Sequence, residues 1–235
     1  MTRPENVQDR VLRVRERIER AAGRAGRSAR EIRLVAVGKT HPPDRIGEAA
    51  AAGVTSFGEN YVQEAEGKIR AYPGLEWHMV GKLQGNKVKK AVSLFSWVQT
   101  VDSSRLLSEI SRRCVEAGTG MPVLLEVNLA EESSKAGISP GELPELVEAA
   151  EALAGVRLAG LMAIPPVFES PEESRPWFAR LRKLLEDCAG RSTAGKGMRE
   201  LSMGMSHDFE VAVEEGATMV RIGTAIFGSR PGRRG

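Results

Sequence analysis

Apolar positions recur every three or four residues near the start of the chain and then gather into eight short runs. Val7, Val11, Val14, Ile18 and Ala22 alternate with charged residues, which predicts an amphipathic helix that ends within a few residues of Ala22. The eight later runs predict β-strands, and they cover residues 32–37, 54–57, 77–80, 97–101, 123–127, 158–164, 200–203 and 219–222.

Stretches with helical periodicity lie between the apolar runs, at residues 44–52, 61–69, 87–94, 104–117, 141–153, 172–188 and 207–215, and a short apolar piece follows at 225–227. Strands that alternate with helices pair in parallel through right-handed crossovers. Eight such units predict an α/β fold, a closed (β/α)8 TIM-type barrel with an extra N-terminal helix within residues 1–30. An open, doubly wound sheet is the alternative. With no linker or repeat in the sequence, we expect one domain over residues 1–235.

Composition narrows the class of protein. The 235 residues are 41% hydrophobic and 28% charged, with a net charge of +3, which is typical of a globular protein. No run approaches the roughly 18 apolar residues that a membrane span needs. The basic tail, residues 229–235, is too short to predict a nucleic-acid surface. Cys114 and Cys188 lie in helical segments without a paired spacing, which indicates free thiols. Because no signal peptide is recognisable, we expect a soluble cytoplasmic protein.

Lys39 stands at the carboxyl end of the first predicted strand. In a barrel of this type the functional residues lie at the carboxyl ends of the strands. A lysine there can simply extend its charged end into solvent. Alternatively, a partly desolvated amine with a lowered pKa can attack a carbonyl group. The position alone leaves both interpretations open.

The second and third strands contribute two further candidates, Asn60 and His78. Asn60 can bind a ligand through its amide, or it can cap the following helix. His78 lies on a strand, where a hydrogen-bonded structural histidine is the simpler interpretation. The three histidines of the chain lack ligand spacing, so no metal site is predicted.

The last two strands are followed by small-residue turns that open helices. Ser206 lies in the first turn, and Gly223 and Thr224 lie in the second. These are the two loops with which TIM barrels frequently bind phosphate. The alternative is that Ser206 caps a helix and Gly223 eases a tight turn. Arg221 is a charged residue inside an apolar strand, so it requires a partner near the barrel mouth.

Several segments together resemble the pyridoxal phosphate homeostasis proteins, a family of barrels similar to the N-terminal domain of alanine racemase. The resemblance covers residues 4–228, and the segments that carry it are LVAVGKTHP, FGENYVQE, EWHMVGKLQGNK, SSKAGI, GLMAI and LSMGMSHDFEVAVEEGATMVRIGTAIFG. The chain departs from the family where Gly38 replaces the usual Ser or Thr, and at Lys82 within Gly81-Lys82-Leu83. Neither departure removes a group that the chemistry requires.

The resemblance implies a site for pyridoxal 5′-phosphate (PLP). It implies that Lys39 forms a Schiff base with PLP and that Arg221 faces the pyridine nitrogen. It also implies that Asn60 and His78 line the ring pocket. The phosphate would be held by neighbouring residues and backbone amides of the last two loops: Met205, Ser206, Gly223 and Thr224.

The function that this resemblance implies is a non-catalytic PLP carrier that contributes to PLP, vitamin B6 and amino-acid homeostasis. PLP-dependent apoenzymes are its expected acceptors, and Lys135 is a second amine that can assist transfer or simply be solvated. An amino-acid racemase is the alternative, although racemisation needs a second base, supplied in alanine racemase by a C-terminal domain that we do not find here. For the same reason we expect a monomer. A sugar-phosphate barrel enzyme would leave Lys39 and Arg221 unexplained.

Overall fold

Eight parallel strands close into a barrel in the computed structural model of the chain, which describes residues 5–132, 136–190 and 193–228. Each strand pairs with the next, and β8 returns to pair with β1. The predicted barrel is therefore confirmed, and the open sheet is wrong. The strands are β1 (Arg33–Val37), β2 (Ser56–Glu59), β3 (Glu76–Met79), β4 (Trp97–Val101), β5 (Met121–Glu126), β6 (Val156–Met162), β7 (Glu200–Ser202) and β8 (Met219–Ile222).

The helices are α1 (Val7–Arg24), α2 (Pro43–Ala51), α3 (Val62–Ala71), α4 (Val88–Leu94), α5 (Ser104–Ala117), α6 (Leu143–Ala149), α7 (Arg175–Ala189), α8 (Thr193–Lys196), α9 (Phe209–Glu214) and α10 (Thr224–Phe227). Most lie where helical periodicity predicts them. The segment 141–153 is shorter as an α-helix than predicted, because it tightens into a 3-10 turn over Ala150–Ala152. Helix α8 was not predicted, since four residues are too few to show a period.

Helix α1 lies over the seam where the barrel closes. Its buried face packs against α9, α10 and α2, which belong to the last and first units of the barrel. The N-terminus is fixed by a capping box in which Asn6 and Asp9 bond each other's backbone amides. Arg17 reaches Glu210 on α9 at 2.7 Å. The predicted N-terminal helix therefore stabilises the β8–β1 junction.

The interior of the barrel is filled by apolar and polar side chains. One buried apolar cluster comprises Val35, Trp97, Leu124, Ala159, Met162 and Met219, and a larger one fills the space between strands and helices. Buried polar residues share the interior, among them four on strands β3, β4, β7 and β8: His78, Gln99, Ser202 and Arg221. Burying such groups is unfavourable unless they are hydrogen-bonded, so their partners determine what the site can do.

Cys114 and Cys188 are buried and form no disulfide, as the sequence predicts. Burial raises the pKa of the Cys114 thiol, which keeps it unreactive. No helix in the described part of the chain has both the length and the apolar character that a membrane crossing requires. Three or more potential metal ligands of the His, Cys, Asp and Glu types do not come together anywhere within residues 5–132, 136–190 and 193–228.

Gly160 marks the closest approach between β6 and β7. A Cβ atom added there would lie 1.8 Å from the carbonyl oxygen of Glu200. We therefore expect Gly160→Ala to lower the free energy of unfolding by about 1–3 kcal/mol, because the strands must separate to admit the methyl group. Gly141→Ala is the matched control, since nothing lies within 4 Å of its added Cβ. Urea denaturation of both variants measures the difference, and equal stabilities would refute this account of the β6–β7 contact.

Candidate functional site

The residues predicted from the strand ends meet at one end of the barrel. Lys39 follows β1, Asn60 follows β2, and Ser206 and Gly223 follow β7 and β8. Because all eight strands are parallel and the sheet is closed, their carboxyl ends form one rim. An added Cβ at Gly223 would lie 3.8 Å from the Cβ of Val37, two residues before Lys39. Lys39 therefore lies between the loop that follows β8 and the loop that follows β2.

The loops after β7 and β8 form one structural unit. The Ser206 hydroxyl accepts a hydrogen bond from the Ala225 amide of α10 at 3.2 Å. Gly204 has a φ of +87°, and an added Cβ there would lie 2.5 Å from Ala212. Only glycine fits this position, so the turn after β7 has one conformation. Helix α9 is preceded by Asp208 and has no side-chain cap, so Ser206 does not cap α9, and its hydroxyl accepts a hydrogen bond from an amide in the first turn of α10 instead.

Backbone amides in this unit are available to a ligand. Within residues 193–228 and the other described ranges, no protein group accepts the amide hydrogens of Ser206, Gly223 or Thr224. Met205 differs, because its amide donates to Asp208 Oδ1 at 2.7 Å. The geometry thus provides three unused donors for an anion and removes the backbone donor of Met205 from the predicted set.

Arg221 is a buried cation with uncharged partners. Its guanidinium donates to Ser202 Oγ at 2.6 Å and to the Ala163 carbonyl oxygen at 2.9 Å. Neither of these two hydrogen bonds is to a carboxylate. Burial lowers the pKa of Arg221 to about 10, while the more distant carboxylates of Glu126 and Asp208 oppose that shift. The partners that Arg221 requires are therefore uncharged, and no ion pair within the described residues neutralises its positive charge.

Asn60 and His78 differ in what they can offer. Tyr61 occupies the cap position of α3 without a side-chain cap bond, so the alternative that Asn60 caps this helix is wrong. No protein group of the described chain hydrogen-bonds the Asn60 side chain, which leaves its amide available. His78 is completely buried, and its two ring nitrogens contact Glu76 and Gln99. His78 therefore has no free nitrogen for a ligand.

A buried ammonium group supports the backbone of Lys39. Lys68 Nζ on α3 donates to the Gly38 carbonyl oxygen at 2.9 Å, to Glu59 Oε1 at 2.8 Å and to Glu64 Oε1 at 3.1 Å. Lys68 and Glu59 are almost completely buried. These three bonds fix the peptide that precedes Lys39. A signal was present in the sequence, since Glu59 ends an apolar strand and the Glu64–Lys68 spacing suits one helix face.

The loop itself has unusual backbone geometry. Thr40 has a φ of +66°, a left-handed conformation that is uncommon outside glycine. Its amide donates to Glu64, which holds the residue in place. At Gly38 an added Cβ would lie 2.4 Å from Ile46 Cδ1, so Ile46 occupies the space that the Ser or Thr of the related family would need. Such strain persists only where surrounding contacts enforce it, and it is frequent at functional sites.

Glu126 is a second residue that the sequence analysis missed. It ends β5 and is half-buried at the same rim. Burial raises the pKa of its carboxyl group, and the positive charge of Arg221 opposes that shift. One acidic residue at a strand end is too common to be singled out from sequence alone. Lys135 and the tail, residues 229–235, lie outside the described residues.

Comparison with known proteins places this geometry in context. A family profile described as "Alanine racemase, N-terminal domain" matches residues 11–231. The pyridoxal phosphate homeostasis protein of Aquifex aeolicus is 44% identical over 227 residues, which are 96% of this chain and 99% of that protein. The protein of the same name from Escherichia coli K12 is 43% identical over 231 residues, or 96% and 97%. PipY of Synechococcus elongatus, solved with PLP bound, is 39% identical, with a TM-score of 0.80 over 90% of this chain and 100% of that one.

The buried carboxyl group beneath Lys39 should make stability depend on pH. Burial raises the pKa of Glu59 to about 7 from its ordinary 4.5, against the opposing effect of Lys68. Between these values the folded protein holds a proton that the unfolded chain releases, so this group favours folding more as the pH falls. Relative to Glu59→Gln, the free energy of unfolding of the natural protein should rise from about pH 7 to about pH 5, by up to about 1.4 kcal/mol per pH unit.

Chemical denaturation across this pH range measures the effect. Glu66→Gln on α3 is the control, because Lys90 lowers the pKa of the Glu66 carboxyl group, so this group does not favour folding more as the pH falls. Parallel stability curves for the natural protein and Glu59→Gln would contradict the assignment.

Proposed function

We propose that the chain, which belongs to the pyridoxal phosphate homeostasis protein family, holds PLP as a Schiff base on Lys39. One observation carries the proposal: Lys39 shares a barrel rim with the unused amides of Ser206, Gly223 and Thr224. An aldehyde that bears a phosphate requires an amine and an anion cradle at the two ends of one pocket. The bound PLP of PipY supports the choice of ligand.

Residues of this chain fit the parts of PLP in different ways. The backbone amides of Ser206, Gly223 and Thr224, in the loops after β7 and β8, would bind the phosphate. Lys39 would hold the aldehyde carbon. Arg221 would face the pyridine nitrogen, since its charge is hydrogen-bonded to no carboxylate in the part of the chain that the structure describes. Asn60 would donate to the ring from the β2 side, whereas His78 would act through Gln99, since both of its nitrogens are used.

The charge of Arg221 favours binding of PLP without catalysis. PLP supplies an electron sink for carbanions when its pyridine nitrogen is protonated. A fixed guanidinium at that nitrogen disfavours the proton, so the sink is weaker. We therefore propose a carrier without efficient catalysis, which acts in the cytoplasm as a monomer and passes PLP to PLP-dependent apoenzymes. This role would contribute to vitamin B6 and amino-acid homeostasis.

Borohydride reduction after PLP addition tests the Schiff base. Peptide mass mapping should find a pyridoxyl group on the Lys39 peptide, because the reduced bond survives digestion. Lys39→Ala should lose that label, and Lys82→Ala should keep it, since Lys82 is an exposed lysine near the same rim. An unlabelled Lys39 in the natural protein would favour a sugar-phosphate barrel, with Lys39 as a solvated strand-end residue.

Amino-acid racemisation tests the non-catalytic part. The PLP-loaded protein should not interconvert L- and D-alanine at a useful rate, as measured by chiral chromatography. A racemase needs a second base, and Tyr61 is the tyrosine near the rim, 60% exposed. Tyr72 packs against Gly47 of α2 instead. Turnover that Tyr61→Phe abolishes would establish the racemase and overturn the carrier.

A further inference from the structure

Five polar side chains form a continuous line of hydrogen bonds across the barrel interior. Arg221 Nη1 donates to Ser202 Oγ at 2.6 Å, and Ser202 Oγ contacts Gln99 Oε1 at 2.6 Å. Gln99 Nε2 lies 2.7 Å from His78 Nδ1, and His78 Nε2 lies 2.8 Å from Glu76 Oε1. The line therefore begins at the proposed ring site and ends at the start of β3.

The two ends fix the direction of every bond in the line. A guanidinium can only donate, and an ionised carboxylate can only accept. Glu76 is ionised, because the hydrogen bond from His78 lowers the pKa of its carboxyl group to about 2. The Ser202 hydroxyl donates to Gln99 Oε1, so Gln99 Nε2 faces His78 Nδ1, and Nδ1 must accept. The His78 ring therefore carries one proton, and burial, which lowers the pKa of His78, favours the same neutral state. That proton must lie on Nε2, and Gln99 must turn its amide nitrogen toward Nδ1.

The Glu76 end is anchored and reaches solvent. Ser56 donates to Glu76 Oε1 at 2.8 Å, and Trp97 donates to Oε2 at 3.3 Å. The Glu76 side chain is 35% exposed and borders a cavity of about 470 Å³ at the amino-terminal end of the barrel. The rings of His78 and Trp97 are stacked, 5.6 Å apart and nearly parallel. The donors Ser56 and Trp97 therefore hold the Glu76 carboxylate in place as a hydrogen-bond acceptor.

We propose that Glu76 is a positioning residue for Arg221 and acts through His78, Gln99 and Ser202 to fix the direction of the guanidinium at the ring site. With Glu76 present, each group in the line has one orientation, and Ser202 always presents a lone pair to Arg221. Without it, Gln99 can turn over and serve either tautomer of His78, so Ser202 either donates to Gln99 Oε1 or accepts from Gln99 Nε2. In the second arrangement Ser202 accepts from Arg221 and Gln99 at once, and it holds the guanidinium less firmly. The effect on PLP rests on the function proposed above, whereas the line itself does not.

Nitrogen-15 NMR of the free protein tests the direction of the line. With only three histidines in the chain, the His78 ring can be assigned. We expect a neutral ring protonated at Nε2 and bare at Nδ1 near neutral pH. A ring protonated at Nδ1, or at both nitrogens, would overturn the proposal, because either state reverses or breaks the bond to Gln99.

Three variants test whether the line acts on Arg221. Glu76→Leu should yield a mixture of His78 tautomers and raise the Kd for PLP about tenfold, the order expected for one lost buried hydrogen bond. Gln99→Met should raise the Kd for PLP by a similar factor. It should leave His78 protonated at Nε2, because the Glu76 carboxylate still accepts that proton. Glu200→Leu is the control, since Glu200 borders the same cavity but accepts from Thr218 outside the line. Its tautomer and Kd should stay within twofold of the natural protein.

The pattern across these variants separates positioning from general damage. The proposal predicts that both variants have a raised Kd but that only Glu76→Leu changes the His78 tautomer. A general loss of stability would not produce this difference. A Kd for Gln99→Met within twofold of the natural protein would overturn the proposal. If the natural protein binds no PLP, the proposed function fails, and the tautomer measured on the free protein still decides the direction of the line.

Discussion

The pairing of β8 with β1 is the constraint on which the site depends. It joins residues at opposite ends of the chain, with Arg221 in register with Val35 and Ile222 in register with Ala36. The same pairing brings the turn after β8 next to the turn that carries Lys39. Helix α1 covers this junction and packs against α2, α9 and α10. The amine and the anion cradle are therefore neighbours because the barrel closes, and a lone β/α unit could not form the site.

Two buried cations are stabilised by different means, and each suits its role. Lys68 is paired with Glu59 and Glu64, so its charge is balanced, and its third bond fixes the Gly38 carbonyl. Among the described residues, Arg221 hydrogen-bonds a hydroxyl and a carbonyl group and no carboxylate, so its charge is still available to a ligand. A balanced ion pair suits the support of a loop, whereas an unbalanced cation suits recognition of an electron-rich ring nitrogen.

The strands, the closed barrel and the position of Lys39 could be predicted from the sequence, because they rest on local periodicity and on the fixed geometry of parallel strands. The partners of the buried groups could not be predicted. Ser202 bonds Gln99 across 103 positions of sequence, and only the closed barrel makes them neighbours. The helix that Asn60 or Ser206 could cap was also beyond local rules. Tyr61 takes the cap position of α3 in place of Asn60, and the Ser206 hydroxyl accepts a hydrogen bond from an amide of α10 and not of the adjacent α9.

Diffraction from crystals soaked with PLP tests the central claim most directly, because it locates both ends of the ligand at once. The account predicts continuous density from Lys39 Nζ to the ligand, with the phosphate against the amides of Ser206, Gly223 and Thr224. Arg221 should lie beside the ring nitrogen without a large movement of β8. A phosphate bound elsewhere, or a ligand at the rim with no link to Lys39, would contradict it.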